Sequence, residues 1–275
     1  MSGGTASVQI RNSELVDLLS TDFIRRNEAS VAWGNLHSIF NLLPGLRGFW
    51  PMSSVDESGW VYDQSGQERV LKYTGNPLFS LSGLAPYIEF DGTGDELFRP
   101  DEVGLDITGG ETFMATALRG LTLGGWFYFT DVAPGHNMSL IAKWNTSGDQ
   151  RSYLLWWNDT GNYPSFSVTN LGTAADVDSV ASTVGTVANT WYFIVGRYDP
   201  SAELAIFVNG TKTTNVVGIP ATLFSGTSLF EIGANSAGAA ELLHGGTSLC
   251  FLCSAALPDT AIQALYHHSR AMHGG

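Results

Sequence analysis

The residues best suited to chemistry in this 275-residue chain are its 26 acids, against only 13 Lys and Arg. Hydrolytic work needs two carboxyls held over one surface, about 5–5.5 Å apart in a retaining sugar hydrolase. The adjacent pairs Asp56-Glu57, Asp95-Glu96 and Asp101-Glu102 lie among turn residues, where neighbouring side chains diverge. No G-x-S-x-G, H-E-x-x-H, P-loop or G-x-G-x-x-G stands in a supporting context. The expectation is a protein with no catalytic residues. Among binding groups, Trp144, Arg151, Tyr153, Trp157, Asn158 and Tyr163 combine aromatic faces with amide and guanidinium partners, a mixture suited to sugar rings or to a subunit contact. Trp156 and Trp157 are neighbours on a predicted strand, so one faces the core and the other faces out.

The remaining reactive residues read as structural. Cys250 and Cys253 are three apart in a predicted strand, which points them to opposite faces and disfavours a disulfide. A single C-x-x-C is a weak zinc signal, so both are expected reduced and in the core. The six histidines, His267, His268 and His273 among them, lack ligand spacing on a fixed element and are expected at the surface. The net charge of −13, with no run of Lys or Arg, excludes a nucleic-acid or anionic-membrane surface. No apolar run approaches the ~20 residues of a membrane helix, and the first residues show no export signal.

The elements that must position these groups are strands. Trp191–Tyr198 is aromatic and β-branched, Asp199–Ala202 is a turn, and Glu203–Val208 alternates. Asn209-Gly210 then signals a type I′ hairpin into Thr211–Val216, completing an antiparallel meander. Both of its first two strands are apolar on both faces, so this sheet is expected to be covered on its second face by helices or by another subunit. Period-two patterning runs from Leu46 to Pro258 in some twelve to fourteen strands, and a short helix from Pro258 carries Ile262, Leu265 and Tyr266. Before it, Leu15, Leu18, Leu19 and Phe23, then Trp33, Leu36 and Phe40, fall at helical spacing. Residues 1–44 are therefore read as a tail with an amphipathic docking or oligomerisation arm, and 45–275 as an all-β, antiparallel two-sheet sandwich.

Eight blocks occur in one order: G-L-R-G-F-W-P-M-S-S (45–54), V-Y-D-Q-S-G (61–66), Y-I-E-F-D-G-T-G-D (87–95), L-T-L-G-G-W-F-Y-F (121–129), L-I-A-K-W-N (140–145), N-T-W-Y-F-I-V-G-R-Y-D (189–199), L-A-I-F-V-N-G (204–210) and A-A-L-P-D-T-A-I-Q-A-L-Y (255–266). Their order resembles the laminin-G-like jelly rolls of the concanavalin A-like lectin/glucanase superfamily, over residues 45–267. The resemblance implies two packed sheets, one concave, with the six residues around Trp144 and Trp157 in the concave region. Enzymes of that superfamily carry E-x-D-x-E on one strand, which is missing here. The resemblance also implies calcium near acidic turns, where Asp91 and Asp95 are the candidate ligands. The position of the family's second acidic block is held by Thr247–Phe251, so no cofactor is expected. Such domains mostly act outside cells. With no export signal, the expected setting is the surface of a bacteriophage virion, assembled in the host cytoplasm as a homo-oligomer with other virion proteins. The alternative is a lectin-type glycan-binding module.

Overall fold

The structure is a computed structural model that describes residues 38–53, 55, 58–80, 85–109 and 119–274. Sixteen strands are present among them: β1 (Leu46–Trp50), β2 (Trp60–Val61), β3 (Leu71–Thr74), β4 (Leu78–Ser80), β5 (Tyr87–Asp91), β6 (Glu96–Arg99), β7 (Leu121–Phe129) and β8 (Met138–Asn145) come first. There follow β9 (Gln150–Asn158), β10 (Tyr163–Val168), β11 (Asp178–Ala181), β12 (Trp191–Asp199), β13 (Glu203–Val208), β14 (Thr211–Asn215), β15 (Phe230–Ile232) and β16 (His244–Cys253). They form two antiparallel sheets. Sheet A runs β14-β13-β12-β7-β16-β5-β4 with β1 also on β16, and sheet B runs β11-β10-β9-β8-β15-β6-β3-β2. The short strands β3, β4, β6 and β11 exceed the twelve to fourteen expected, because three or four residues between Gly-rich turns carry little periodicity.

Alternation decides what each strand contributes. From β12 and β13, Ile194, Tyr198, Leu204, Ile206 and Val208 point between the sheets, where they meet Tyr153, Leu155, Trp157 and Phe166 of sheet B. Phe193, Val195, Ala205 and Phe207 point the other way into a second apolar layer. The cover expected over this face is present, and it comes from within the chain. Residues 38–41 are helical, Phe40 is fully buried, and its ring stacks on Phe49 at 4.4 Å. The C-terminal helix Asp259–Ser269 adds Ala261, Ile262 and Leu265 to the same layer. Leu15, Leu18, Leu19, Phe23, Trp33 and Leu36 lie outside the described residues.

Cys250 joins the inter-sheet core and Cys253 the outer layer, both unpaired, and burial pushes both thiols up, Cys250 to about 12. The histidines correct the sequence reading. His268, in the C-terminal helix, and His273, just after it, are both buried, His273 against Trp126 and Trp191 of sheet A. The His273 ring stacks on Trp126 at 4.3 Å, and burial pulls its pKa down to about 4, so it is neutral at pH 7.

Lys143 of β8 is fully buried, and its Nζ lies 2.8 Å from Asp101 Oδ1 and 3.0 Å from Asp106 Oδ1. It also donates to the carbonyls of Gly226 and, at 3.3 Å, Ser228. This ammonium fastens two irregular segments, 100–107 and 226–228, to the edge of the core. Tyr153 reinforces the first by donating its hydroxyl to the Leu105 carbonyl at 3.0 Å.

Candidate functional site

With one outer face of the sandwich covered, the open face is that of sheet B. A single rung of laterally paired residues crosses all eight of its strands. Ser179 is opposite Ser167, Ser167 opposite Leu154, and Leu154 opposite Ala142. Ala142 is opposite Glu231, Glu231 opposite Phe98, Phe98 opposite Lys72, and Lys72 opposite Trp60. Ala142, Trp144 and Leu154 form a small apolar cluster on this face, joined by half-buried Trp156 and Val177.

At the β9–β11 end, Trp156 is the outward member of the Trp156–Trp157 pair. Its Nε1 donates to Ser167 Oγ at 2.9 Å, and Ser167 Oγ lies 2.8 Å from Ser179 Oγ. Those bonds run along the sheet, so they hold the indole across β10 and leave part of it exposed. At the β2–β6 end is a cavity of about 300 Å³ lined by Trp60, Lys72, Phe98, Arg99 and Glu102. The Lys72 ammonium stands 4.7 Å from the Trp60 ring centroid. Glu102 is held between Arg69 and Arg99, whose charges, opposing the effect of burial, keep its carboxyl below the usual range.

Between the two ends are two buried carboxyls. Glu231 is fully buried and Glu96 nearly so, and each has an Oε2 that receives no donor from any other residue. Burial first, then the Glu96 charge, push the Glu231 carboxyl up to about 8, against the pull of the Gly238 and Ala237 N–H groups. Glu96 is likewise raised by burial. Both carboxyls converge on Gly238, whose N–H donates to Glu231 Oε1 at 2.7 Å and whose Cβ position lies 2.7 Å from Glu96 Oε1, a placement that favours one shared proton over two buried charges. Both are buried beneath the loop 235–241, whose Gly238 stands on them.

The expected site residues divide. Tyr153 and Trp157 do not lie on the open face: both are fully buried in the inter-sheet core, and Trp157 Nε1 donates to Thr186 Oγ1 at 2.8 Å. The β9 segment is apolar in both parities, and its pairing turns Tyr153, Leu155 and Trp157 inward. Arg151 is buried against Asp149 at 2.6 Å and the Gly172 carbonyl at 3.2 Å. Asn158 Oδ1 accepts the Gly161 N–H at 2.9 Å in the turn before half-buried Tyr163. Trp144 alone of the six is in the open-face cluster. Trp156, Glu96 and Glu231 were missed; F-E-I at 230–232, a lone acid between two core residues, was the available signal. Asp95 accepts backbone N–H groups from Asn76 (2.7 Å) and Asp91 (3.0 Å), and Asp91 accepts that of Thr93 at 2.7 Å. Both acids thus cap turns. Among the described residues, no group of three His, Cys, Asp or Glu is arranged to hold a metal.

Residues 106–246, just over half of the chain, match the family model described as the concanavalin A-like lectin/glucanases superfamily. The chain belongs to that superfamily. No curated protein matches its sequence. Among solved structures, this superfamily member is similar to the ligand binding domain of botulinum neurotoxin serotype D in complex with N-acetylneuraminic acid, at TM-score 0.60 and 11% identity, covering 84% of this chain and 52% of that one. The binding domain of Paraclostridial Mosquitocidal Protein 1 is similar at TM-score 0.60 and 10% identity, covering 84% and 52%. Domain 4 of an extracellular arabinanase from Geobacillus stearothermophilus, in complex with arabinotriose, matches at TM-score 0.58 and 12% identity, covering 80% of this chain and 97% of that domain. The chain spans about half the length of the neurotoxin binding domains it matches. Identities this low bear on the fold alone.

Proposed function

We propose that this superfamily member is a non-enzymatic binding module whose open sheet B face takes a saccharide. One observation carries the reading: sheet A is covered by residues 38–43 and the C-terminal helix, while sheet B leaves the Trp156 indole half-buried, anchored by its bond to Ser167. A partly exposed aromatic face beside hydroxyls suits the apolar face and polar rim of a sugar ring. Two of the similar structures are saccharide complexes, with N-acetylneuraminic acid and with arabinotriose, and support this ligand class. No cofactor enters the reading, since Asp91 and Asp95 are engaged with backbone.

Titration against arabino-oligosaccharides and sialylated glycans tests the proposal. Trp156→Ala is expected to weaken binding about tenfold or more, equivalent to about 1.4 kcal/mol. Trp157→Ala is the contrasting control: it removes a core side chain, so its effect is a loss of about 3–5 kcal/mol in stability. Undiminished binding by Trp156→Ala, or no binding to any of these glycans, overturns the reading.

A second reading, a bacteriophage virion component displaying this module as a homo-oligomer among other virion proteins, is favoured by the placement of residues 38–43. They pack on the face of the sandwich opposite the proposed binding face, so an arm leading into them would present sheet B outward. Because Phe40 and Leu43 are core residues, the informative truncation removes only residues 1–37. The truncated protein is expected to fold and to lose incorporation into particles, read by mass spectrometry of purified virions. Normal incorporation removes the docking role of the arm.

A further inference from the structure

The open face is interrupted midway by the loop 235–241, which stands on the Glu96–Glu231 pair. The base of the loop is tied to β8. Asn235 Nδ2 donates to Ser139 Oγ at 2.8 Å and to Glu241 Oε2 at 2.6 Å, and Ser139 N donates to the Glu241 carbonyl at 2.7 Å. Its tip rests on the acids. Gly238 N donates to Glu231 Oε1 at 2.7 Å, and a Cβ on Gly238 would stand 2.7 Å from Glu96 Oε1. Gly238 has φ +71°, so both its conformation and its closeness to Glu96 require glycine. Ser236 and Ala237 also sit at positive φ, 56° and 61°, a backbone held against its own preference. On one side Ser236 N donates to the Trp144 carbonyl at 2.9 Å. On the other side lie Phe98 and the Trp60 cavity.

Two carboxyls buried side by side cannot both ionise without a cation between them. Among the described residues, the surrounding elements offer no such cation. β8 contributes Ala142 and Trp144, and β6 contributes Glu96 itself. The loop adds only another acid, Glu241, bound to Asn137, Ser139 and Asn235. Lys72 on β3 is opposite Phe98 and is exposed, with its ammonium over Trp60. Lys143 points to the other side of the sheet, between Asp101 and Asp106. A proton is left as the group that joins the two acids.

We propose that the loop 235–241 is a latch across the open face, closed by one proton shared between Glu96 and Glu231 and released when that proton is lost. Release lifts the tip from the acids and joins the Trp156 and Trp60 ends into one groove, so the pair regulates how long a saccharide the face can hold. This function of the latch rests on the saccharide reading; its opening does not. The sign is fixed by linkage. The closed state holds a proton that an open, solvated pair gives up at ordinary carboxylate values, so opening grows with pH above about 4.5 and levels off once the closed pair also ionises.

Hydrogen exchange of the Gly238 amide, which donates to Glu231, in the full chain at pH 5.5 and 7.5 and corrected for intrinsic base catalysis, tests this. Opening is expected to rise by about tenfold or more in the wild type, up to the limit of about tenfold per pH unit for one proton. In Glu231→Gln it should stay flat, since a neutral amide still donates to Glu96 and accepts from Gly238. Glu96→Gln serves as a second, independent variant. A flat wild type, or an equal rise in both variants, overturns the latch. A flat wild type with Trp156-dependent glycan binding intact removes the latch alone. A pH-responsive loop in a protein that binds no glycan supports the latch and removes the saccharide reading.

Discussion

Lys143→Met is expected to lower stability by about 3–5 kcal/mol, read as a fall in the urea midpoint at unchanged slope. The side chain is fully buried, and its ammonium serves Asp101, Asp106 and two backbone carbonyls. Methionine fills nearly the same volume, so the loss is not a cavity effect. It comes from leaving two carboxylates and two carbonyls facing one another with no donor, the situation in which removing one partner of a buried ionic cluster is most damaging. Adding Asp101→Asn and Asp106→Asn to Lys143→Met should recover part of the loss, because both charges go with the cation. Equal stability of the single and triple variants, both near wild type, would mean that Lys143 only fills space. The effect should be local to segments 100–107 and 226–228, which the ammonium joins. Trp156 lies outside this network, so glycan binding by the folded fraction should be unaffected.

The two-sheet sandwich was legible in the chain because its long strands alternate cleanly and are separated by strong turns. The Asn209-Gly210 hairpin holds the expected register, with Val208 opposite Thr211 and both turn residues at positive φ. The covering of sheet A was legible for a physical reason too: Phe193, Val195 and Phe207 make the second side of β12 and β13 largely apolar, with Arg197 and Glu203 paired at one end of it. What failed at the site was parity. In Tyr153–Trp157 both sets of alternate residues are apolar, so periodicity says that Trp156 and Trp157 part company but not which one enters the core. Pairing with β8 and β10 decides it. The acid pair failed differently. Glu96 was read with Asp95 as a turn because β6 is only four residues long. Its partner Glu231 is 135 positions along the chain and adjacent only through sheet pairing. Lys143, between two apolar neighbours in L-I-A-K-W-N, carries no local sign that it turns inward to two aspartates.

The second large effect is on the pH dependence of stability, where two buried groups oppose each other. Glu231 has its carboxyl pushed up to about 8, first by burial and then by the charge of Glu96. A carboxyl with a raised folded pKa contributes stability that is complete below its unfolded value of about 4.5 and is lost as pH climbs toward 8. His273 runs the other way. Burial against Trp126 lowers its pKa to about 4, so its contribution is present above about 6.5 and is lost as pH falls through 4. Between about pH 4.5 and 6.5 the two slopes oppose each other, with His267, also lowered by burial, on the side of His273 and Asp178 and Asp199, raised by burial, on the side of Glu231; from about 6.5 to 8 the Glu231 slope dominates. Thermal and urea unfolding should therefore show a plateau through mildly acidic pH and a decline of about 2 kcal/mol between pH 6.5 and 8, at about 1.4 kcal/mol per pH unit. Glu231→Gln is expected to abolish the decline and to expose the acid-side loss due to His273, so its curve rises from pH 4.5 to 6.5 and is then flat. At pH 8 the variant should be the more stable protein. Glu102 and Asp259, held low by their cationic partners, change the curve only below about 4.5 and do not enter this window. A wild type whose stability is level from pH 6.5 to 8, or a Glu231→Gln curve parallel to it, would show that the carboxyl pair holds no proton in the folded protein, and the latch would lose its basis with it.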